Sequence, residues 1–245
     1  MRWIGKAVAT AALVTTSSVA MAQSGTATVD ATMSTYLAGG NSYTVPPGCA
    51  VVGCTTPGGI APVAITLTAG TGRLLSFGSV TGAMSFCGGG TCAAPTPDGL
   101  LSPGTAMAAS GRISGISAPT AGFLAGVFLG GALPTSAPSS LDFNSLTTNF
   151  SSLSPVLGQQ FFIGDGRTAT NLLQQFLVPD AATTLYLGIV DGSFFAGAPG
   201  YYDDNVGSYQ ANYSVTTTVP EPSTLLLLTV GLGALALGRR RRQAA

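Results

Sequence analysis

Apolar and β-branched residues in this chain come in short runs, and Gly or Pro interrupts them within a few residues. The 34 glycines and 15 prolines of the 245 residues work against long surface helices, and the scarcity of Glu and Lys works against them too. The pattern predicts many short strands, with candidates at residues 42–45, 62–69, 74–80, 122–129, 160–164, 184–190 and 207–217. Alternation is clearest in Val63-Ala64-Ile65-Thr66-Leu67-Thr68 and in Tyr209-Gln210-Ala211-Asn212-Tyr213-Ser214-Val215-Thr216. In each, one face of a strand is apolar or aromatic and the other polar, as expected for a β-sandwich. Residues 171–176 read as a helical turn, and the Ser-rich stretch 134–155 as a surface excursion. No internal repeat and no linker long enough to require two domains is visible.

Charge is concentrated at the ends. Arg2, Lys6 and Arg239 to Arg242 are terminal, so eight aspartates face only Arg73, Arg112 and Arg167 in the interior, which leaves it at about −5. No basic patch is available to neutralise phosphates, so a nucleic-acid partner is not expected. The chain has no histidine, and its one glutamate is Glu221. Most acid–base, triad and zinc chemistry is thereby removed. We expect a non-enzyme; a secreted hydrolase would lack a general base titrating near neutrality.

The N-terminus has a basic start at Arg2 and Lys6, an apolar stretch over residues 7–14, and the small-residue ending Ala20-Met21-Ala22. That order is the signature of a secretory signal peptide, residues 1–22, cleaved after Ala22. Near the C-terminus, Pro220-Glu221-Pro222 precedes an apolar run over residues 225–238 and then Arg239-Arg240-Arg241-Arg242. The run is expected to enter the inner membrane as a helix of about minimum length, with the arginines holding its end in the cytoplasm. Gly231-Leu232-Gly233-Ala234-Leu235-Ala236 fits a loose dinucleotide-binding pattern but follows no strand and is discarded.

Pro220, Glu221 and Pro222, the short apolar helix and the cluster Arg239, Arg240, Arg241 and Arg242 together resemble the PEP-CTERM sorting signal of Gram-negative bacteria. The resemblance covers residues 219–245. It implies an exosortase partner that cuts near the Pro-Glu-Pro, transient membrane anchoring, and delivery to the cell surface or extracellular matrix. Such substrates commonly accompany exopolysaccharide, which becomes the expected partner of the exported domain, residues 23–218.

The four cysteines form two pairs of equal spacing, Cys49 with Cys54 and Cys87 with Cys92. In an exported domain they are expected to be oxidised, with zinc as the competing reading. Three connectivities are possible, and the two local pairings are the simplest.

Residues 185–209 carry a strand, an acidic loop and a second strand. Asp203, Asp204 and Asn205 on a Gly/Pro-shaped turn offer oxygen ligands to a hard cation. Tyr201, Tyr202, Phe194 and Phe195 offer flat faces suited to a sugar ring. The alternative is a solvated turn, because Asp and Asn stabilise turns through local hydrogen bonds. The Leu-Gly strand, the Pro199-Gly200 turn, the acidic cluster and the exit Asn205-Val206-Gly207-Ser208-Tyr209 resemble the bacterial galactophilic calcium lectins. Weaker echoes occur at Tyr43-Thr44-Val45-Pro46-Pro47-Gly48 and Ala121-Gly122-Phe123-Leu124-Ala125-Gly126-Val127. The resemblance implies a calcium cofactor bridging protein and sugar hydroxyls, with Asp204 and Asn205 as side-chain ligands and Tyr201 supplying a carbonyl. Two departures stand out: Gly197 replaces the acid that the family carries before its Pro-Gly turn, and no histidine is present to contact a sugar. Asp203 or Asp191 is the available substitute. The expected fold is all-β, a single jelly-roll-like β-sandwich between signal peptide and transmembrane helix. The competing functional reading is a purely structural or adhesive surface protein with no small ligand.

Overall fold

The alternating segment over residues 209–216 lies inside the largest sheet rather than at its edge. The computed structural model describes residues 22–45, 58–88, 92–94 and 96–217. The apolar N-terminal segment before Ala22, the Pro46-Pro47-Gly48 turn, Cys49, Cys54 and the sorting segment 219–245 lie outside the described residues. In chain order, the strands of the first half are β1 (Ala22–Asp30), β2 (Val63–Thr66), β3 (Arg73–Ser85), β4 (Ala93–Ala94), β5 (Thr105–Met107), β6 (Ile116–Ala118) and β7 (Leu124–Leu129). Those of the second half are β8 (Leu141–Asp142), β9 (Ser152–Leu153), β10 (Gln160–Phe162), β11 (Gln175–Val178), β12 (Thr184–Ile189), β13 (Ala196–Gly197) and β14 (Val206–Thr217), with a single α-helical turn, α1 (Phe143–Leu146), among the described residues.

Three sheets result among the described residues. The first runs β1-β14-β3-β11-β9, with β4 also on β3; the second runs β10-β7-β12-β2; the third runs β13-β5-β6-β8. Along β14, Tyr209, Ala211 and Val215 are buried while Gln210, Asn212 and Thr216 are exposed, so the period-2 reading holds there. Around β2, Ile65 and Leu67 are likewise buried and Ala64 and Thr66 exposed. The first and second sheets face each other through aromatic rings. Phe161 on β10 stacks on Phe128 of β7 at 5.0 Å and meets Phe176 of β11 at 5.2 Å. Gly126, opposite Phe161 in the ladder, leaves room for that ring, since a Cβ there would lie 2.6 Å from it. All-β content and packed sheets therefore agree with the expected class.

Several local expectations need correction. Residues 42–45 form no strand: the Tyr43 hydroxyl instead donates to the Gly58 carbonyl and lies 3.3 Å from Ser34 Oγ, which fixes the segment by side-chain rather than ladder bonds. Residues 171–176 are not helical. Asn171 has φ +63°, Thr168 N donates to Leu172 O, and the Gln174 amide donates to the Thr148 and Phe150 carbonyls, so the chain turns and then enters β11 extended. The 134–155 stretch is docked as well as exposed: Phe143 is fully buried against Phe162, and β9 pairs in parallel with β11. Strand β1, which joins β14 from Ala22↔Thr216 to Asp30↔Ser208, had no strong pattern to announce it.

The second sheet positions the site. Past the end of β2, residues 33–35 pair with the end of β12, where Ser34 bridges Ile189 in parallel and Ile189 N donates to Met33 O at 2.7 Å. Gly188 permits that approach, because a Cβ would sit 2.7 Å from the Met33 carbonyl oxygen. No helix among the described residues is long and apolar enough to cross a membrane.

Candidate functional site

Two loops leaving β12 and entering β14 build a cavity of about 320 Å³. The first carries Asp191, Gly192 and the 3-10 turn Ser193–Phe195; the second carries Tyr201 and the 3-10 turn Tyr202–Asp204. They are tied to each other by a bridge between Gly192 and Pro199 and by Gly200 N donating to Asp191 O at 3.1 Å. Phe86 and the Cys87–Cys92 disulfide form another wall. Gly88 N, within that disulfide loop, donates to the Asp204 carbonyl at 3.2 Å, so the bridge steadies the acidic turn. The local pairing expected for Cys87 and Cys92 is the one observed, which removes zinc as their role.

Backbone strain is concentrated here. Of the five non-glycine residues with positive φ among the described residues, Phe194 (51°), Phe195 (54°) and Tyr201 (68°) all line this cavity. Each such residue costs on the order of 1–3 kcal/mol, a cost that persists where surrounding contacts dictate the shape, and such residues cluster at ligand sites.

The lining is mostly apolar, and its two acids, Asp191 and Asp204, connect to buried polar groups behind it. Asp191 is 2% exposed; its Oδ1 accepts from Gly192 N at 2.6 Å and its Oδ2 from Asn205 Nδ2 at 2.8 Å. Asn205 Nδ2 also donates to the Ala31 carbonyl at 3.0 Å, which fixes the amide so that its oxygen points away from both. That Oδ1 is buried without a hydrogen-bond partner, and so is Oδ1 of Asp204. Burial holds the Asp191 carboxyl well above the usual carboxylate range, against the bonds from Asn205 and Gly192 and reinforced by Asp204 and Asp203. Burial also raises Asp204, with Asp203 acting in the same direction. Buried acceptors lacking donors, beside carboxyls crowded by like charge, describe a place short of positive charge.

The expected site residues fare differently. Asp204, Asn205 and Tyr201 are gathered with Asp191, and Asp203 lies on the same turn. Asp191, weighed only as a substitute acid, is joined directly to Asn205, a contact between loops that local spacing cannot show. Among the sugar-face candidates, Phe194 is 88% exposed at the cavity and Tyr201 half-buried. Phe195 is buried edge-on against Phe86 at 4.7 Å. Tyr202 is fully buried: its hydroxyl donates to Ile189 O at 3.2 Å and accepts from Asp191 N at 3.0 Å, so it is a structural pin with no face left for a ring. Among the described residues no group of three or more His, Cys, Asp or Glu side chains is placed to hold a metal, so any cation would rely on amide and carbonyl oxygens as well.

Fold and cavity together define an all-β protein with a loop-built cavity at one end of its sheets. Residues 218–242 match the PEP-CTERM protein-sorting motif, beginning immediately after the last residue of β14. The motif indicates an exported protein, processed by an exosortase after transient membrane anchoring. No curated protein and no solved structure matches the chain.

Proposed function

We propose that the exported domain is a non-catalytic cell-surface or matrix protein whose loop cavity holds calcium and, through it, the hydroxyl groups of extracellular polysaccharide. The observation that carries this reading is the pair of buried, unpartnered oxygens, Oδ1 of Asp204 and Oδ1 of Asn205, beside the buried Asp191 carboxyl. A hard cation needs several oxygen ligands, and these two positions are the ones the lectin-like register assigns to side-chain ligands. Asp203 and the Tyr201 carbonyl complete the proposed set. A cation bound here would draw the raised Asp191 carboxyl into its ionised form, and that charge would act at second remove through Asn205 where Gly197 offers none. Calcium would balance the acids, and exposed Phe194 would offer a sugar its apolar face. The lectin-like, jelly-roll reading of the fold belongs to this proposal. The sorting motif supports it by indicating export, and extracellular modules bind calcium in the millimolar range.

Isothermal titration of the full chain in detergent with calcium is expected to show one site per chain, absent in Asp204→Ala. A chain that takes up no calcium would favour the purely structural or adhesive reading.

A further inference from the structure

A second cavity, of about 340 Å³, lies beside the first and carries none of its residues. Its wall includes Asp98, Leu101, Thr120, Asn149, Asp165 and Arg167. Thr120 is 8% exposed, and its buried hydroxyl has no hydrogen-bond partner. The other polar groups are held in place with capacity to spare. Asp98 Oδ1 accepts from Asp165 N at 3.0 Å, Asp165 Oδ1 from Arg167 N at 2.8 Å, and Asn149 Oδ1 from Ala169 N at 2.7 Å. The second oxygen of each carboxylate, the Asn149 NH2 and the Thr120 hydroxyl remain for a ligand. Arg167 is anchored to the Asn171 and Gly78 carbonyls and brings a positive charge to the wall.

This mixture of acceptors and donors around a guanidinium is unsuited to a bare cation. It complements vicinal hydroxyls, each of which both donates and accepts. Net negative charge in the interior of the chain disfavours an anionic polymer. Leu101, 79% exposed on the rim, offers an apolar contact for a ring's C–H face.

The two cavities are neighbours by construction. In the second sheet the order β10-β7-β12 brings three strand ends together: Asp165 follows β10, Thr120 precedes β7, and Asp191 follows β12. At about 4.8 Å per strand step, β10 and β12 are roughly 10 Å apart. Leu101 lines one cavity and Pro103, two residues on, lines the other, a separation of at most about 7 Å between Cα atoms.

We propose that the second cavity is a calcium-independent saccharide subsite, and that the two cavities form one track for a neutral polysaccharide chain rather than a pocket for a terminal sugar. The track rests on the proposed function of the first cavity; the subsite does not.

The test titrates the full chain in detergent with neutral glucose, galactose and mannose oligomers of one, two, four and six units, in calcium and in chelator. Affinity is expected to rise at least tenfold between one and four units. In chelator a length-dependent remainder should survive, unaffected by Asp204→Ala and weakened about fivefold by Thr120→Val. Thr120→Val removes an unsatisfied buried hydroxyl, so its thermal stability should be unchanged or higher, which separates lost binding from lost folding. Affinity independent of length, a remainder indifferent to Thr120→Val, or no oligomer bound would overturn the proposal. If binding ignores calcium but keeps the remainder, the calcium reading of the first cavity fails and the subsite stands. If binding is calcium-dependent and flat with length, the reverse holds.

Discussion

Arg73→Met is expected to destabilise the domain by about 4 kcal/mol, with the urea midpoint falling and the slope little changed. Arg73 is 1% exposed although it begins a strand. Its guanidinium donates to the carbonyls of Thr68 (2.8 Å), Pro179 (2.6 Å), Asp180 (3.0 Å) and Ala182 (3.0 Å). These acceptors belong to the turn before β12 and to the segment after β2, so one side chain at the start of β3 joins strand ends of two sheets. Methionine would fill part of the space and leave the carbonyls facing apolar atoms, at roughly 1–3 kcal/mol for each that finds no water. A loss below about 1 kcal/mol would mean that solvent already satisfies these carbonyls.

Alkaline pH is expected to unfold the protein steeply from about pH 10. Tyr36, Tyr202 and Tyr209 are fully buried, and burial raises all three above the ordinary tyrosine value. Half-buried Tyr43 is pushed up to about 12 by the same cause. Each raised value means that the folded state keeps a proton the unfolded chain releases. Stability is therefore intact below about pH 10 and falls as pH rises towards the folded values. Each group contributes about 1.4 kcal/mol per pH unit, so the three fully buried rings together give about 4. Against a total stability of about 5–15 kcal/mol, unfolding should be complete within a few pH units. Tyrosinate absorbance and loss of near-ultraviolet circular dichroism should then rise together. Ionisation of these rings in a still-folded protein would contradict the assignment.

The tyrosines also show what local pattern can and cannot reveal. Tyr209 was placed on the apolar face of its strand by alternation alone, because a half-buried strand has period 2 whatever its partners are. Tyr202 reads as a sugar-binding candidate because its ring offers a flat face beside an acidic loop. Its burial depends on Ile189 and Asp191, more than ten residues earlier, whose backbone groups its hydroxyl satisfies. Strand β1 was missed for a related reason: Gln23-Ser24-Gly25-Thr26 is weak as a strand by itself and is ordered by pairing with β14 across nearly the whole chain. The run from Asn171 to Phe176 was too short for periodicity to separate helix from strand.

Of the candidate site, the acidic turn was legible because its residues are consecutive. The coupling of Asn205 to Asp191, the anchoring of the turn to Gly88 and the strained aromatics were not, since each is set by contacts between loops. The second cavity had no sequence signal at all, as its residues are scattered from Asp98 to Ala169. The sorting motif stood at the other extreme, with three elements in fixed order within one short segment.

Calcium binding at the first cavity, as proposed above, is tested most directly by thermal unfolding of the full chain in detergent. Calcium should raise the melting temperature of the parent, chelator should return it, and Asp204→Ala should remove the response, because a ligand that binds only the folded state stabilises it by mass action. A parent whose melting temperature is the same in calcium and in chelator, or an Asp204→Ala variant that responds as the parent does, would contradict it.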